Sequence, residues 1–296
     1  MHTKILLLVL VLGTSAYGQN FSETISKELT FEKKSPDNAL MISNIFGNVK
    51  VVGYEGQKIL LEVKRSIYAK TDARLEKGKQ EVQLGIIDRA DTIIVYVSDG
   101  CNQFRKRSSR SGQSNRNDQG WGYHSEWQNN CHIDYDYKMD FTLKVPASLH
   151  LLVSTINDGD VTVENINGIV KAGNINGSIR LTNLKSEADA HTINGDVDIE
   201  YAQNPGKDCR FYTLNGDINA LFQPGLSANM SFESFNGSFY TNLNSLETLP
   251  VKVEKATKGD GIKYKINGNR YQIGRGGAML DFETFNGNVY VKEKTN

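Results

Sequence analysis

One seven-residue pattern recurs through the second half of the chain and limits what it can fold into: apolar, Asn, Gly, any, apolar, any, apolar. It reads Ile166-Asn167-Gly168-Ile169-Val170-Lys171-Ala172, Ile175-Asn176-Gly177-Ser178-Ile179-Arg180-Leu181 and Ile193-Asn194-Gly195-Asp196-Val197-Asp198-Ile199. It returns from Leu214-Asn215-Gly216, Phe235-Asn236-Gly237 and Phe285-Asn286-Gly287. Variant copies stand at Ile45-Phe46-Gly47 and Asn157-Asp158-Gly159.

The spacing is as regular as the motif. Gly159, Gly168 and Gly177 are evenly spaced, and Gly195 follows at twice that interval. Gly195, Gly216 and Gly237 then keep one slightly longer step. The beat missing from the series falls on Ser186, where the apolar pattern persists without Asn-Gly. Asn and Gly tolerate positive φ, so Asn-Gly suits a sharp corner. The residues two and four after each Gly share one strand face and are apolar except for Thr241, and the intervening residues are mostly polar. A unit of about 20 residues then holds two short strands and two corners, too little to bury its own apolar face, so stacked units are needed. This predicts an all-β fold, a single-stranded β-solenoid or β-helix-like array with turn glycines Gly47, Gly159, Gly168, Gly177, Gly195, Gly216, Gly237 and Gly287. The alternative is an antiparallel β-sandwich with the same Asn-Gly pairs as hairpin turns.

The N-terminal segment 1–18 is a separate object. Lys4 supplies a positive start, Ile5 to Leu12 is an apolar run, and Ala16-Tyr17-Gly18 is a small-x-small cleavage site. The run is well short of the roughly 20 apolar residues that span a bilayer. Residues 1–18 are therefore expected to be a signal peptide cleaved near Gly18-Gln19. No transmembrane segment is expected, and the mature chain belongs in the periplasm, outside the cell or on its surface. There, Cys101 and Cys131 are expected to pair, leaving Cys209 alone.

Residues 19–100 read as a less regular β region with strands near 24–31, 39–45, 49–52, 59–67, 82–87 and 92–97. A helical turn is expected near 72–79, weakened by Gly78. Residues 101–131 are an inserted loop rich in Arg, Ser, Gly and Trp. Arg105, Lys106, Arg107, Arg110 and Arg116 stand there against Asp118 and Glu126, and both tryptophans lie in it. Arg105, Arg107, Arg110, Trp121, Tyr123 and Trp127 are candidate ligand contacts for carbohydrate or an anionic polymer; the plainer expectation is an insertion whose tryptophans fold back on the sheet. The strand at 133–145, broken by Pro146, opens a regular region at 132–296, continuous with 19–100 as one domain.

Charge and motifs exclude several functions. With 34 basic and 34 acidic side chains the formal charge is zero, so nothing draws the chain to nucleic acid. No nucleophile elbow, phosphate loop or zinc-protease motif is present, and no catalytic residue, metal site or cofactor is expected. Asp134 with Asp136, Asp196 with Asp198, and Asp196 with Asp217 could serve a glycoside-cleaving pair or calcium. Asp after Asn-Gly is more simply turn chemistry, and alternating Asp a solvated strand face.

The strand end Leu143-Lys144-Val145-Pro146, then Leu151-Leu152-Val153-Ser154, the serial Asn-Gly units and the opening Ile45-Phe46-Gly47-Asn48-Val49-Lys50-Val51-Val52-Gly53 together resemble the DUF4097 family of adhesin-like β-repeat proteins of Bacteroidetes and other bacteria. The resemblance spans about residues 40 to 293. It implies the fold and supplies no catalytic residues. The expectation is an exported non-enzymatic scaffold, an adhesin whose partner is a surface polysaccharide or another envelope protein. The alternatives are a purely structural envelope protein and, behind it, a carbohydrate-active β-helix enzyme.

Overall fold

Val161 and Val163 are fully buried while Thr162 between them and Glu164 after them are not, and this two-residue alternation builds nearly every strand of the repeat region. The computed structural model describes residues 18–106, 121–125, 131–244, 246–258, 261–267 and 269–295; for 124–125, 252–258 and 261–267 it describes the backbone alone. The expected signal peptide, apart from its last residue, lies outside the described residues. The chain is all-β, with two large mixed sheets, neither closed, and one helix among the described residues. A ten-stranded sheet and an eleven-stranded sheet carry the core between them, and two two-stranded ribbons are not hydrogen-bonded into either.

Successive strands of the repeat alternate between the two large sheets. His150–Ser154 lies in the second sheet, Val161–Glu164 in the first, Val170–Gly173 in the second and Ile179–Leu184 in the first. Each strand then pairs in parallel with its counterpart one unit along: Val161 with Ile179, Ile179 with Val197, Val197 with Ile218. The Asn-Gly segments therefore join strands of different sheets and are not hairpin turns. The short step from Gly159 to Gly168 is the distance from one corner to the other, and the full repeat returns to the same corner. Antiparallel pairing is confined to the ends of the sheets. Gln19–Leu29 and Ile59–Ala69 extend the first sheet beyond Tyr135–Pro146, and Gln83–Asp88 closes the second beside Thr92–Ser98. At the other end Arg270–Ile273 and Leu246–Thr248 pair antiparallel beyond Ala228–Asn236.

The order of units in space departs from their order in sequence. Met279–Asn286 and Val289–Glu293, the last strands of the chain, lie between the unit at 209–222 and the unit at 228–241. The core is continuous across all units, and burying a side chain such as Val197 contributes about 1.5–3 kcal/mol. Alanines 172, 188 and 190 face inward in the middle of the second sheet. Farther along, Phe211 and Phe282 take that role, with ring centroids 5.3 Å apart, and Tyr201 stacks on Phe222 at 5.2 Å.

The helix runs from Asp72 to Glu81, capped by the Thr71 side chain, which accepts from the Arg74 amide. Gly78 does not interrupt it. That residue is buried, and a side chain there would press on Ile67 and the Tyr135 ring, so the glycine lets the helix lie against the first sheet. Arg65 ties the same region together. It is 6% exposed, pairs with Glu23 Oε1 at 2.6 Å and donates to the Val82 carbonyl.

Candidate interaction surface

Each passage from the second sheet to the first makes the same corner, and the corners stack into columns. At this corner Asn157 and the asparagines of the Asn-Gly pairs join their counterparts through side-chain amides. Asn176 Nδ2 donates to Asn157 Oδ1 at 2.7 Å, Asn194 to Asn176 at 2.8 Å, and Asn215 to Asn194 at 2.8 Å. The ladder continues out of sequence order, from Asn286 to Asn215 at 2.7 Å and from Asn236 to Asn286 at 2.8 Å. One residue inward runs a buried polar column. Thr155, Thr192 and Thr213 are at most 1% exposed, and their hydroxyls donate at 2.8 Å to the carbonyls of Gly47, Gly177 and Gly195. Buried donors and acceptors are thereby matched unit by unit.

Close approach, more than positive φ, selects the glycines. A side chain on Gly177 would strike the Gly159 carbonyl, one on Gly195 that of Gly177, and one on Gly216 that of Gly195. Gly159, Gly168 and Gly237 are not at positive φ, yet each abuts a neighbouring backbone in the same way. Gly47, Gly177, Gly195, Gly216 and Gly287 are at positive φ as expected of such corners, and the stacked backbones add a second requirement, since they leave no room for Cβ.

The residue after each glycine explains the acidic corners. Asp160 Oδ1 accepts from the Ser178 amide at 2.8 Å, Asp196 Oδ1 from Asp217 at 2.8 Å, and Asp217 Oδ1 from Asn288 at 2.7 Å. Asp198 holds Arg180 at 3.0 Å and Asn219 at 2.9 Å. Asp134 faces His132 at 3.3 Å. These carboxylates are engaged within the protein, and no group of three metal-ligating side chains occurs among the described residues.

The residue before a ladder asparagine points away from the core, because the residue before that (Asn174, Thr192, Thr213 or Thr284) is buried and neighbours on a strand alternate faces. Register sets Ile175, Ile193, Leu214, Phe285 and Phe235 side by side at successive units, roughly 4.8 Å apart. Ile175 is 38% exposed, Ile193 39%, Phe285 44% and Phe235 74%. Phe235 and Phe285 stack with centroids 4.8 Å apart and an interplanar angle of 2°. An apolar stripe thus runs along the corner beside the asparagine ladder. Sequence reading placed the core two and four residues after each glycine and overlooked this column. The small polar residue two before each ladder asparagine (Thr155, Asn174, Thr192, Thr213, Ser234, Thr284), on the opposite parity, was the signal that could have revealed it.

The insert is placed by its roots. Cys101 and Cys131 form a disulfide with Cα atoms 5.6 Å apart. Asp99 accepts from the Cys101 amide at 2.8 Å and from the Tyr137 hydroxyl at 2.7 Å. Asn102–Lys106 and Trp121–Ser125 form an antiparallel ribbon that packs on the second sheet through Phe104, which stacks on Tyr96 at 4.5 Å. Trp121 stacks on Phe104 at 5.9 Å. The Tyr123 hydroxyl donates to the Ser43 carbonyl at 2.7 Å and accepts from the Val97 amide at 3.0 Å, and burial raises its pKa well above the usual phenol value. Arg105 is exposed on the ribbon. Arg107, Arg110 and Trp127 lie outside the described residues. Among the candidates the structure brings Trp121 and Tyr123 together through Phe104, as packing against the sheet.

No helix among the described residues is long and apolar enough to cross a membrane. No family model matches the chain, and no curated relative matches it. Solved structures similar to it include a "putative cell adhesion protein" from Clostridium sporogenes, 12% identical, covering 93% of this chain and 100% of that one with a TM-score of 0.44. A "putative adhesin" from Bacteroides fragilis is 12% identical over 92% of this chain and 97% of that one, with a TM-score of 0.36. A "putative lipid binding protein" from Parabacteroides distasonis is 8% identical over 92% and 97%, with a TM-score of 0.33.

Proposed function

We propose that this chain is an exported, non-enzymatic binding scaffold: a two-sheet β-solenoid, one continuous domain over the mature chain, that presents its corner stripe to a surface polysaccharide or another envelope protein. The observation that carries this reading is the stripe of Ile175, Ile193 and Phe285, exposed on a rigid hydrogen-bonded corner with Leu214 half-buried between them. Exposed apolar patches of this kind, rimmed by polar groups, mark interaction sites on soluble proteins. The asparagine amides alongside supply directional hydrogen bonding, and the acidic side chains nearby are spent on backbone amides. The parallel register between successive units supports the solenoid reading, and the unbroken core supports a single domain.

The test is capture of mature protein (Gln19 to Asn296) on a glycan array and on cell-wall polymers, beside an Ile175→Asp/Ile193→Asp variant and a variant lacking residues 102–130. Binding lost in the isoleucine variant and kept without the insert supports the stripe. Binding that follows the insert moves recognition to Arg105 and its neighbours. No binding by any form turns the reading to a purely structural envelope protein.

A further inference from the structure

Four strands close the edges of the two large sheets, and they differ in one respect. Gln19–Leu29 and Phe239–Thr241 end the first sheet; Leu246–Thr248 and Gln83–Asp88 end the second. An open strand edge is a template for another strand, and charge on the edge is the usual protection. In Gln19–Leu29 the residues Phe21, Ile25 and Leu29 pack on the core, so Glu23 and Lys27, of the same parity, put charge on the packed face. Leu246–Thr248 carries Glu247, and Gln83–Asp88 ends in Asp88. From Ser234 to Asn242 there is no charged residue. In this stretch Phe235 and Tyr240 are 74% and 48% exposed.

The inner side of that stretch shows what its outer side would accept. Tyr240 stacks on Tyr290 with centroids 5.0 Å apart and an interplanar angle of 13°. The Ser238 carbonyl accepts from the Val289 amide at 3.0 Å. Backbone groups alternate in direction along a strand, so Ser238 and Tyr240 face Val289–Glu293, Phe239 and Thr241 face outward, and among the described residues no further strand pairs with that edge. The opposite end of the sheet presents charged Gln19–Leu29, so head-to-tail stacking of copies meets Glu23 and Lys27. The matching uncharged edge is the same edge on another molecule, and a two-fold axis is the commonest way to join identical edges.

We propose that Phe239–Thr241 is a self-association edge, which pairs antiparallel with the same strand of a second copy about a two-fold axis at Tyr240. Phe239 then exchanges hydrogen bonds with Thr241 of the second copy. The two Tyr240 rings meet at the axis and extend the Tyr290–Tyr240 stack across the interface. So short a shared edge gives a weak dimer that forms with rising concentration. This inference stands independently of polymer binding at the corner.

Sedimentation equilibrium on mature protein, from micromolar to millimolar concentration, tests it. The unmodified chain and a Thr24→Lys control on the charged edge are expected to dimerise alike. Phe235→Lys and Tyr240→Lys, with unchanged circular dichroism, are expected to weaken the dimer at least about tenfold. Tyr240→Cys is expected to form an interchain disulfide on oxidation, because Cys209 is buried and residue 240 lies at the axis. A monomer at every concentration, a dimer indifferent to both lysines, or no crosslink through residue 240 would overturn the proposal.

Discussion

Asn194 Nδ2 lies 2.8 Å from Asn176 Oδ1, and the two residues are 18 apart in sequence, so each amide marks the register of its unit against the last. Asn194 also accepts from Asn215 at 2.8 Å, which places it mid-ladder. Its neighbour Thr192 is fully buried and donates to Gly177 at 2.8 Å. The two columns share one corner, one in water and the other out of it.

The difference in exposure orders their mutational costs. Asn194→Ala lets water replace the lost amide and is expected to cost about 1 kcal/mol, whereas Thr192→Val strands a buried carbonyl and is expected to cost about 2–3 kcal/mol. Urea unfolding of the two variants checks the order, and equal costs would count against the burial argument.

Gly195→Ala is expected to destabilise by at least about 2 kcal/mol, because the new methyl meets the Gly177 backbone and the residue sits at φ 149°. Gly206 has open space where a side chain would go, so Gly206→Ala is expected to fall within about 0.5 kcal/mol of the parent. A thermal melt of both separates a stacking requirement from a general need for flexibility.

Alkaline pH should weaken the fold near the root of the insert. Burial, and then Asp99, raises the Tyr137 pKa above its ordinary 10.0; burial and the hydrogen-bonded Glu81 do the same for Tyr135. The unfolded chain ionises these phenols at the ordinary value and the folded chain does not. Above about pH 10 the unfolded state therefore binds fewer protons, and stability falls as pH rises; below it the contribution is fully present. The urea midpoint should stay level to about pH 9 and then decline, with a shallower decline in Tyr137→Phe.

Reduction should act through one pair of cysteines. The Cys101–Cys131 bridge spans 30 residues, and its loss is expected to cost roughly 3–4 kcal/mol in the chain-entropy model. Cys209 is buried, with Tyr201 Oη 3.2 Å from its sulfur, and burial raises its thiol pKa. Alkylation of the oxidised native protein should find no reactive thiol; labelling of Cys209 before unfolding would contradict its placement.

Much of this architecture was legible in local pattern. Alternation sets which residues face inward because a strand's side-chain period is two, and the even glycine spacing sets a parallel register that Val161, Ile179, Val197 and Ile218 follow. The Cys101–Cys131 pairing was likewise readable from compartment and spacing. That the insert's aromatics fold back on the sheet was the plainer expectation, and Trp121 does so through Phe104; the partners themselves were not readable. Phe104 and Tyr123 read as loop residues, and only the folded sheet supplies Tyr96, Ser43 and Val97 as their partners.

The order of the last two units also lay beyond the sequence. Phe235-Asn236-Gly237 and Phe285-Asn286-Gly287 offer the same corner, so the ladder at Asn215 could accept either. The tertiary structure places Asn286 there and leaves Asn236 at the open end. One local difference accompanies that choice: Val289 fills an inward position with no exposure, while Phe239 at the matching place remains partly exposed against Phe232 and Tyr271. The unit, its corner and its inward face follow from backbone geometry repeated along the chain, and so were readable in local pattern. Which unit stacks on which does not follow from that repeated geometry, since both corners satisfy it, and shows only in the assembled core, where Val289 is fully buried and Phe239 is not.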